Sequence, residues 1–253
     1  LHHGPIDLII GAEGPDREKA YEQATDRFQT ILTGLVADLD SLRQRYIGQR
    51  FDAPVARRMA DAVAPFANAV FVTPMAAVAG SVAQEILEAA VRGRDLRKAY
   101  VNNGGDIAFH LTEGQFVRAK GPEGQIEITY RDPARGIATS GWRGRSHSLG
   151  IADAVSVVAR TAAEADAAAT LIANAVDLPG HLSIQRTPAR DIETGNELGD
   201  IPVTTDVGPL TLDEVNVALD RGAAFAQDCL DRSLILGAVL SLKGEARVLR
   251  QAT

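Results

Sequence analysis

Between Asp16 and Tyr46 apolar residues recur at helical spacing: Ala20, Ala24, Phe28, Ile31, Leu35, Leu39, Leu42 and Tyr46 share one stripe. Charged residues such as Arg17, Glu18, Asp26 and Arg43 fall off that stripe, so the pattern predicts a long amphipathic helix, bent at Gly34. Pro54 opens a shorter helical pattern through Val55, Met59 and Val63, and Pro65 stops it. Asn68–Val72 fits a short buried strand or a bend. Met75–Val91 fits an Ala-rich helix in which Gly80 permits close backbone approach. Ahead of all these, Ile6–Gly11 has the form of a short strand ending on glycine.

From Lys98 onward the pattern turns to strands. They are predicted at Lys98–Asn103, Ile107–Leu111, Gln115–Lys120, Gln125–Tyr130, Gly136–Thr139 and Ala154–Arg160, most of them bounded by Gly-, Pro- or Asp-bearing turns. Thr161-Ala-Ala-Glu164 and Thr211-Leu-Asp-Glu214 are capping-box patterns, in which the Thr hydroxyl takes an orphan N–H and the Glu reaches back. They open helices running to about Val176 and Asp231. Leu234–Leu242, the turn Lys243-Gly244-Glu245 and Ala246–Leu249 make a closing hairpin. The predicted class is α+β, with antiparallel strand sets packed with long helices, in a single domain over 1–253 or two intimately packed subdomains.

Aromatic residues are 5% of the 253, so the core is expected to be aliphatic. Twenty-six Lys and Arg face 33 Asp and Glu, a net charge of −7. A duplex-binding protein gains affinity from a basic surplus, so nucleic acid is not the expected partner. The single cysteine, Cys229, excludes an intrachain disulfide or an all-cysteine zinc site. At a helical position in line with Gly222 and Phe225 it suits a buried small hydrophobe. No apolar run approaches the roughly 18 residues of a membrane span. The start does not resemble a signal peptide, so a cytoplasmic location away from membranes is expected.

Three segments bear chemistry. Asn102-Asn103-Gly104-Gly105-Asp106-Ile107 joins two strands. Its paired glycines suit either a tight hairpin turn or a backbone cradle for an anion or a ring. In Ala165-Asp-Ala-Ala-Ala-Thr170, Asp166 and Thr170 share a helix face. They form either a pair of hard oxygen ligands for Mg2+ or a dipole-favoured Asp beside a self-bonded Thr. Between Thr139 and Gly150 lie Ser140, Trp142, Arg143, Arg145 and His147. The arginines suit a phosphate, the indole a flat ring and the imidazole a proton.

Taken in order, these segments resemble the ApbE family of flavin transferases. That family carries Asn-x-Gly-Gly-Asp-Ile, then a Ser/Thr-Ser-Gly strand end leading into a His-bearing loop, then Ala-Asp-x-x-Ala-Thr. The counterparts are Asn102–Ile107, Thr139-Ser140-Gly141 with His147, and Ala165–Thr170. Val72–Gly80 and Tyr100–Ala108 are similar to a shorter branch of that superfamily.

The resemblance implies an ApbE-like fold. It implies Mg2+ held by Asp166, Thr170 and a backbone carbonyl at Ala79, with FAD or FMN as cofactor. Asn103, Gly104, Gly105, Asp106, Thr139, Ser140, Trp142, Arg143 and Arg145 would line the cofactor, and His147 would be catalytic. The activity implied is FMN transfer to an acceptor protein, or nucleotide hydrolysis. Two departures favour ligand binding over transfer. Ala76-Ala77-Val78-Ala79-Gly80 lacks the family's lysine, and His147 is followed by Ser148-Leu149-Gly150. The alternatives are a non-catalytic binding protein, or an accessory protein in sulfur and homocysteine metabolism, a role linked to archaeal relatives. Oligomer formation stays open.

Overall fold

The computed structural model describes residues 1–121, 124–144 and 146–250. The first elements are β1 (His2–His3), β2 (Ile6–Glu13), α1 (Arg17–Phe28), α2 (Ile31–Ala37), α3 (Leu39–Leu42) and α4 (Pro54–Val63). A 3-10 turn, Pro74–Ala77, leads into α5 (Val78–Val91). Then come β3 (Lys98–Asn103), β4 (Asp106–Leu111), β5 (Phe116–Gly121), β6 (Gly124–Thr129), β7 (Gly136–Ser140), β8 (Ala154–Ala159) and α6 (Ala162–Ala175). The chain continues through β9 (Ile184–Pro188), α7 (Ala189–Ile192), β10 (Pro202–Val207), α8 (Leu212–Asp231), β11 (Gly237–Leu242) and β12 (Glu245–Arg250). Helices with antiparallel ladders are the α+β class that the sequence predicts.

The chain divides into two compact units. Unit 1 is Leu1–Ala119, Gln125–Ala138 and Val158–Ala167; unit 2 is Lys120–Gly124, Thr139–Val157 and Ala168–Thr253.

In unit 1 the strand order is β1-β2-β3-β4-β7. The pairings β2–β3, β3–β4 and β4–β7 are antiparallel, with Leu8 opposite Asn103, Asn103 opposite Asp106 and Ile107 opposite Ile137. α5 buries Val82, Ala83, Ile86 and Ala90 in a cluster with Ala99 and Val101 of β3, Ala24 and Phe28 of α1, and Met59 of α4. Burying each Val, Ile, Phe or Met side chain of this cluster is worth about 1.5–3 kcal/mol, and each Ala methyl less. One ionic cluster is set against this apolar layer. Glu85 of α5 accepts from Arg27 Nε at 2.7 Å and Arg58 Nη1 at 2.6 Å, and Arg58 Nη2 reaches Glu88 at 2.6 Å. α1 and α4 are thereby tied to α5.

In unit 2, β8 neighbours β11, β11 pairs with β12, and β9 pairs with β10. α8 opens with the predicted capping box: Thr211 accepts from the Glu214 N–H, and Glu214 accepts from the Thr211 N–H. Its buried face carries Val215, Leu219, Gly222 and Cys229.

The structure differs from the predicted pattern in several places. The stripe from Asp16 to Tyr46 is buried at Ala20, Ala24, Phe28, Ile31, Leu35 and Leu42 and half-buried at Leu39 and Tyr46, but it runs through three helices. Thr30 turns its hydroxyl onto the Arg27 carbonyl at 3.1 Å, a local bond that competes with helix continuation. Gly34 lies inside α2 and makes no bend. Asn68–Val72 is turn and bend, and the Val72 carbonyl takes the Tyr46 N–H at 2.9 Å. Strands β9 and β10 escape prediction because Pro188 and Pro202 sit in them and a bulge between Thr204 and Asp206 breaks the alternation.

Candidate functional site

The site of unit 1 starts from a hairpin. β3 and β4 are joined by Gly104 and Gly105 at φ +69° and +115°, a conformation in which glycine meets no Cβ penalty. The Gly105 N–H closes onto Asn102 Oδ1 at 2.9 Å. The hairpin reading of this motif is thus the local structure. Its flanking residues, Asn103 and Asp106, oppose each other across the ladder and are both buried. Asn103 Nδ2 donates to the Ala79 carbonyl at 3.1 Å, in the first turn of α5.

The second half is Asp166. α6 is opened by a reciprocal capping box, Thr161 N–H to Glu164 at 3.1 Å and Glu164 N–H to Thr161 Oγ1 at 3.2 Å. One turn in, Asp166 is 9% exposed and its Oδ2 accepts the Gly80 N–H at 2.8 Å. The Ala79 N–H donates to the same side chain. α5 begins after Ala77, a residue with no side-chain acceptor, so Asp166 of α6 answers the orphan amides of a different helix.

Burial pushes the Asp166 carboxyl well above the usual carboxylate range, and the Asp106 charge pushes it further; the Gly80 and Ala79 amides pull the other way. Asp106 and Asp166 are therefore two carboxylates sharing one buried environment. Among the described residues no group of three or more His, Cys, Asp and Glu is placed to hold a metal ion.

The remaining predicted residues lie in unit 2. Trp142 Nε1 donates to Asp153 Oδ1 at 3.3 Å, and Arg143 Nε stands 3.6 Å from the same oxygen. The Arg143 guanidinium lies over the indole ring, 4.9 Å from its centroid. Thr139 Oγ1 is 2.8 Å from Ser156 Oγ, Ser140 is half-buried, and His147 Nε2 is 3.4 Å from Glu193 Oε2. Thr170 follows Asp166 by four residues in α6 and is half-buried. Arg145 lies outside the described residues.

The structure thus gathers Ala79, Asn103, Asp106 and Asp166 in unit 1, and Trp142 and Arg143 around Asp153 in unit 2. Asp153 escapes sequence reading. It also takes the Lys243 N–H at 2.6 Å, a partner ninety residues away with no local signal. Asn174 escapes likewise, although its Oδ1 takes the Leu149 N–H at 2.9 Å and fixes the loop after His147. Cys229 is buried, and that burial, helped by Asp228, pushes its thiol up to about 11.

A family model described as AbpE bacteria matches residues 1–248. The chain belongs to that family. Among curated proteins, UPF0280 proteins of the archaea are similar. The one from Methanothermobacter thermautotrophicus is 38% identical over 118 residues, 44% of this chain and 46% of the relative. The one from Methanosarcina acetivorans is 35% identical over 180 residues, 68% of this chain and 69% of the relative. The chain spans about half the length of the first curated relatives it matches. Among solved structures, Pseudomonas stutzeri flavinyl transferase ApbE in its apo form is 12% identical with a TM-score of 0.44, over 98% of this chain and 96% of that chain. No helix among the described residues is long and apolar enough to cross a membrane.

Proposed function

We propose that this member of the AbpE bacteria family binds the phosphate end of a flavin or related nucleotide, with a divalent cation at the Asp106–Asp166 pair. The observation that carries the reading is a buried carboxylate held by the Gly80 amide at 2.8 Å and repelled by a second carboxylate. Two carboxylates fit Mg2+, which is commonly bound by one or two carboxylates together with substrate phosphates and not by an all-protein cage. The resemblance of Asn102–Ile107 and Ala165–Thr170 to the ApbE flavin transferases supplies the ligand class.

Asp166 and Asp106 would hold the cation, which when bound would neutralise phosphate charge. The Ala79 and Gly80 amides fix the Asp166 carboxylate, and Asn103 fixes the Ala79 carbonyl. Unit 2, taken by itself, holds Arg143 stacked on Trp142 beside Asp153, and His147 beside Glu193. Binding is the activity proposed and transfer is not, because Ala76–Gly80 lacks the transferase lysine.

A second reading has its own observation. Asp166 supplies the cap that Ala77 cannot, so its role would be to build the α5–α6 contact. Calorimetric titration of FAD, FMN and ADP, with Mg2+ and then with EDTA, separates the two. Metal-dependent binding that Asp166→Asn abolishes, in a protein that still folds, supports the site. Absence of binding by all three in the unaltered protein removes the flavin reading and leaves the cap.

A further inference from the structure

Unit 1 also holds a cavity of about 370 Å3 whose lining includes none of the residues of the carboxylate site. Its walls are α4 on one side, with Arg57 and Asp61, and on the other Gln84 of α5 with Thr161, Ala163 and Glu164 at the start of α6. The volume sits at the small end of ligand pockets, roughly 300–1,000 Å3.

Arg57 and Asp61 are four residues apart on α4, a spacing at which opposite charges ordinarily pair. Here both are exposed and, among the described residues, neither side chain enters an ion pair or a hydrogen bond. The adjacent Arg58 is by contrast committed to Glu85 and Glu88, at 2.6 Å each. The cavity is therefore faced by one uncommitted guanidinium and one uncommitted carboxylate.

The opposite wall repeats this duality. The capping box uses the Thr161 hydroxyl and one Glu164 oxygen. The N–H of buried Ala163 donates to Gln84 Oε1 at 3.5 Å, the outer limit of a hydrogen bond. A ligand oxygen would answer that amide better, while the second Glu164 oxygen adds negative charge. A simple anion would meet the Asp61 and Glu164 carboxylates. A simple cation would meet Arg57. A small molecule carrying both charges satisfies all of them: its carboxylate suits the planar Arg57 fork and the Ala163 amide, and its ammonium suits Asp61 and Glu164.

We propose that this cavity is a binding site for a free α-amino acid. The ligand would take the Ala163 amide from Gln84, bridging α4 and the start of α6.

The test is calorimetric titration of the full chain with the common L-amino acids, alongside acetate, inorganic phosphate and methylammonium, which each carry one kind of charge. At least one amino acid should bind saturably and at least about tenfold more tightly than any of the three. Arg57→Ala and Asp61→Asn should each weaken it by about tenfold or more. Because both side chains are unpaired and exposed, the unliganded melting temperature should stay within about 2 °C of the starting protein. Acetate or phosphate binding as tightly as the amino acids would make this a plain anion site and overturn the proposal. Undiminished amino-acid binding in the folded Arg57→Ala protein, or no saturable binding of any amino acid at millimolar concentration, would overturn it equally.

Discussion

The backbone N–H of Gly80 donates to the Asp166 carboxylate at 2.8 Å, across 86 residues of sequence, and the same approach leaves no room for a side chain at position 80. A Cβ built there would lie 2.2 Å from the Ala162 carbonyl oxygen and 2.8 Å from the Asp166 Cβ. The site and the crossing of α5 with the start of α6 are thus one construction.

Gly80→Ala should therefore destabilise the protein by about 3 kcal/mol, the upper range for overpacking, since a backbone carbonyl cannot swing aside. Gly34→Ala, where an added Cβ meets nothing within 4 Å, is the control and should change stability little. Chemical denaturation of the two proteins checks this, and equal stabilities would refute the close crossing.

Asp166→Asn keeps an oxygen to accept the Gly80 and Ala79 amides but removes the charge. It should retain most of the stability and lose cation-dependent ligand binding. Asp166→Ala should lose both, with about 1–2 kcal/mol from the unanswered helix amides. Thermal melts paired with the FAD titration separate the two contributions.

Burial raises the Glu85 carboxyl, but Arg58 and Arg27 outweigh it and hold the group below the ordinary carboxylate value. Glu85→Ala takes the carboxylate from Arg27 and leaves Arg58 with Glu88 alone, in a mostly buried place, and should cost about 3 kcal/mol. An urea-midpoint shift of only a few tenths of a molar would count against a tightly held cluster.

Glu214 predicts a pH dependence. The Thr211 N–H first, then the His181 side chain and the Thr211 hydroxyl, hold its carboxyl at about 2 instead of 4.5. A depressed carboxylate favours the folded state when ionised. Its contribution is complete above 4.5 and is lost as the pH falls from there through about 2. Melting temperatures across that window should fall less steeply in Glu214→Gln, which preserves the box geometry.

Cys229 should react with a thiol reagent at pH 8 only as fast as the fold opens, because burial pushes its thiol up to about 11 and shields it. Rapid stoichiometric labelling of the native protein would contradict this.

The sequence alone determined whatever depends on neighbours within a turn or a hairpin. Both capping boxes form as their Thr-x-x-Glu spacing dictates, and Gly104-Gly105 makes the turn that two positive φ angles require. β3 occupies Lys98–Asn103 because alternation and a glycine stop fix both of its ends. The motif order also carried the family. Tertiary structure decided the rest, since partners far apart in sequence leave no periodic trace. The stripe from Asp16 to Tyr46 gave the buried residues but not the breaks at Thr30 and Asp38. Asp166 was legible as a carboxylate on a helix. That it caps α5 and shares its burial with Asp106 depends on a contact the helix periodicity cannot encode. The charges of Arg57 and Asp61 were likewise plain in the chain. Only the packing of α4, α5 and α6 left them facing a cavity without joining to each other.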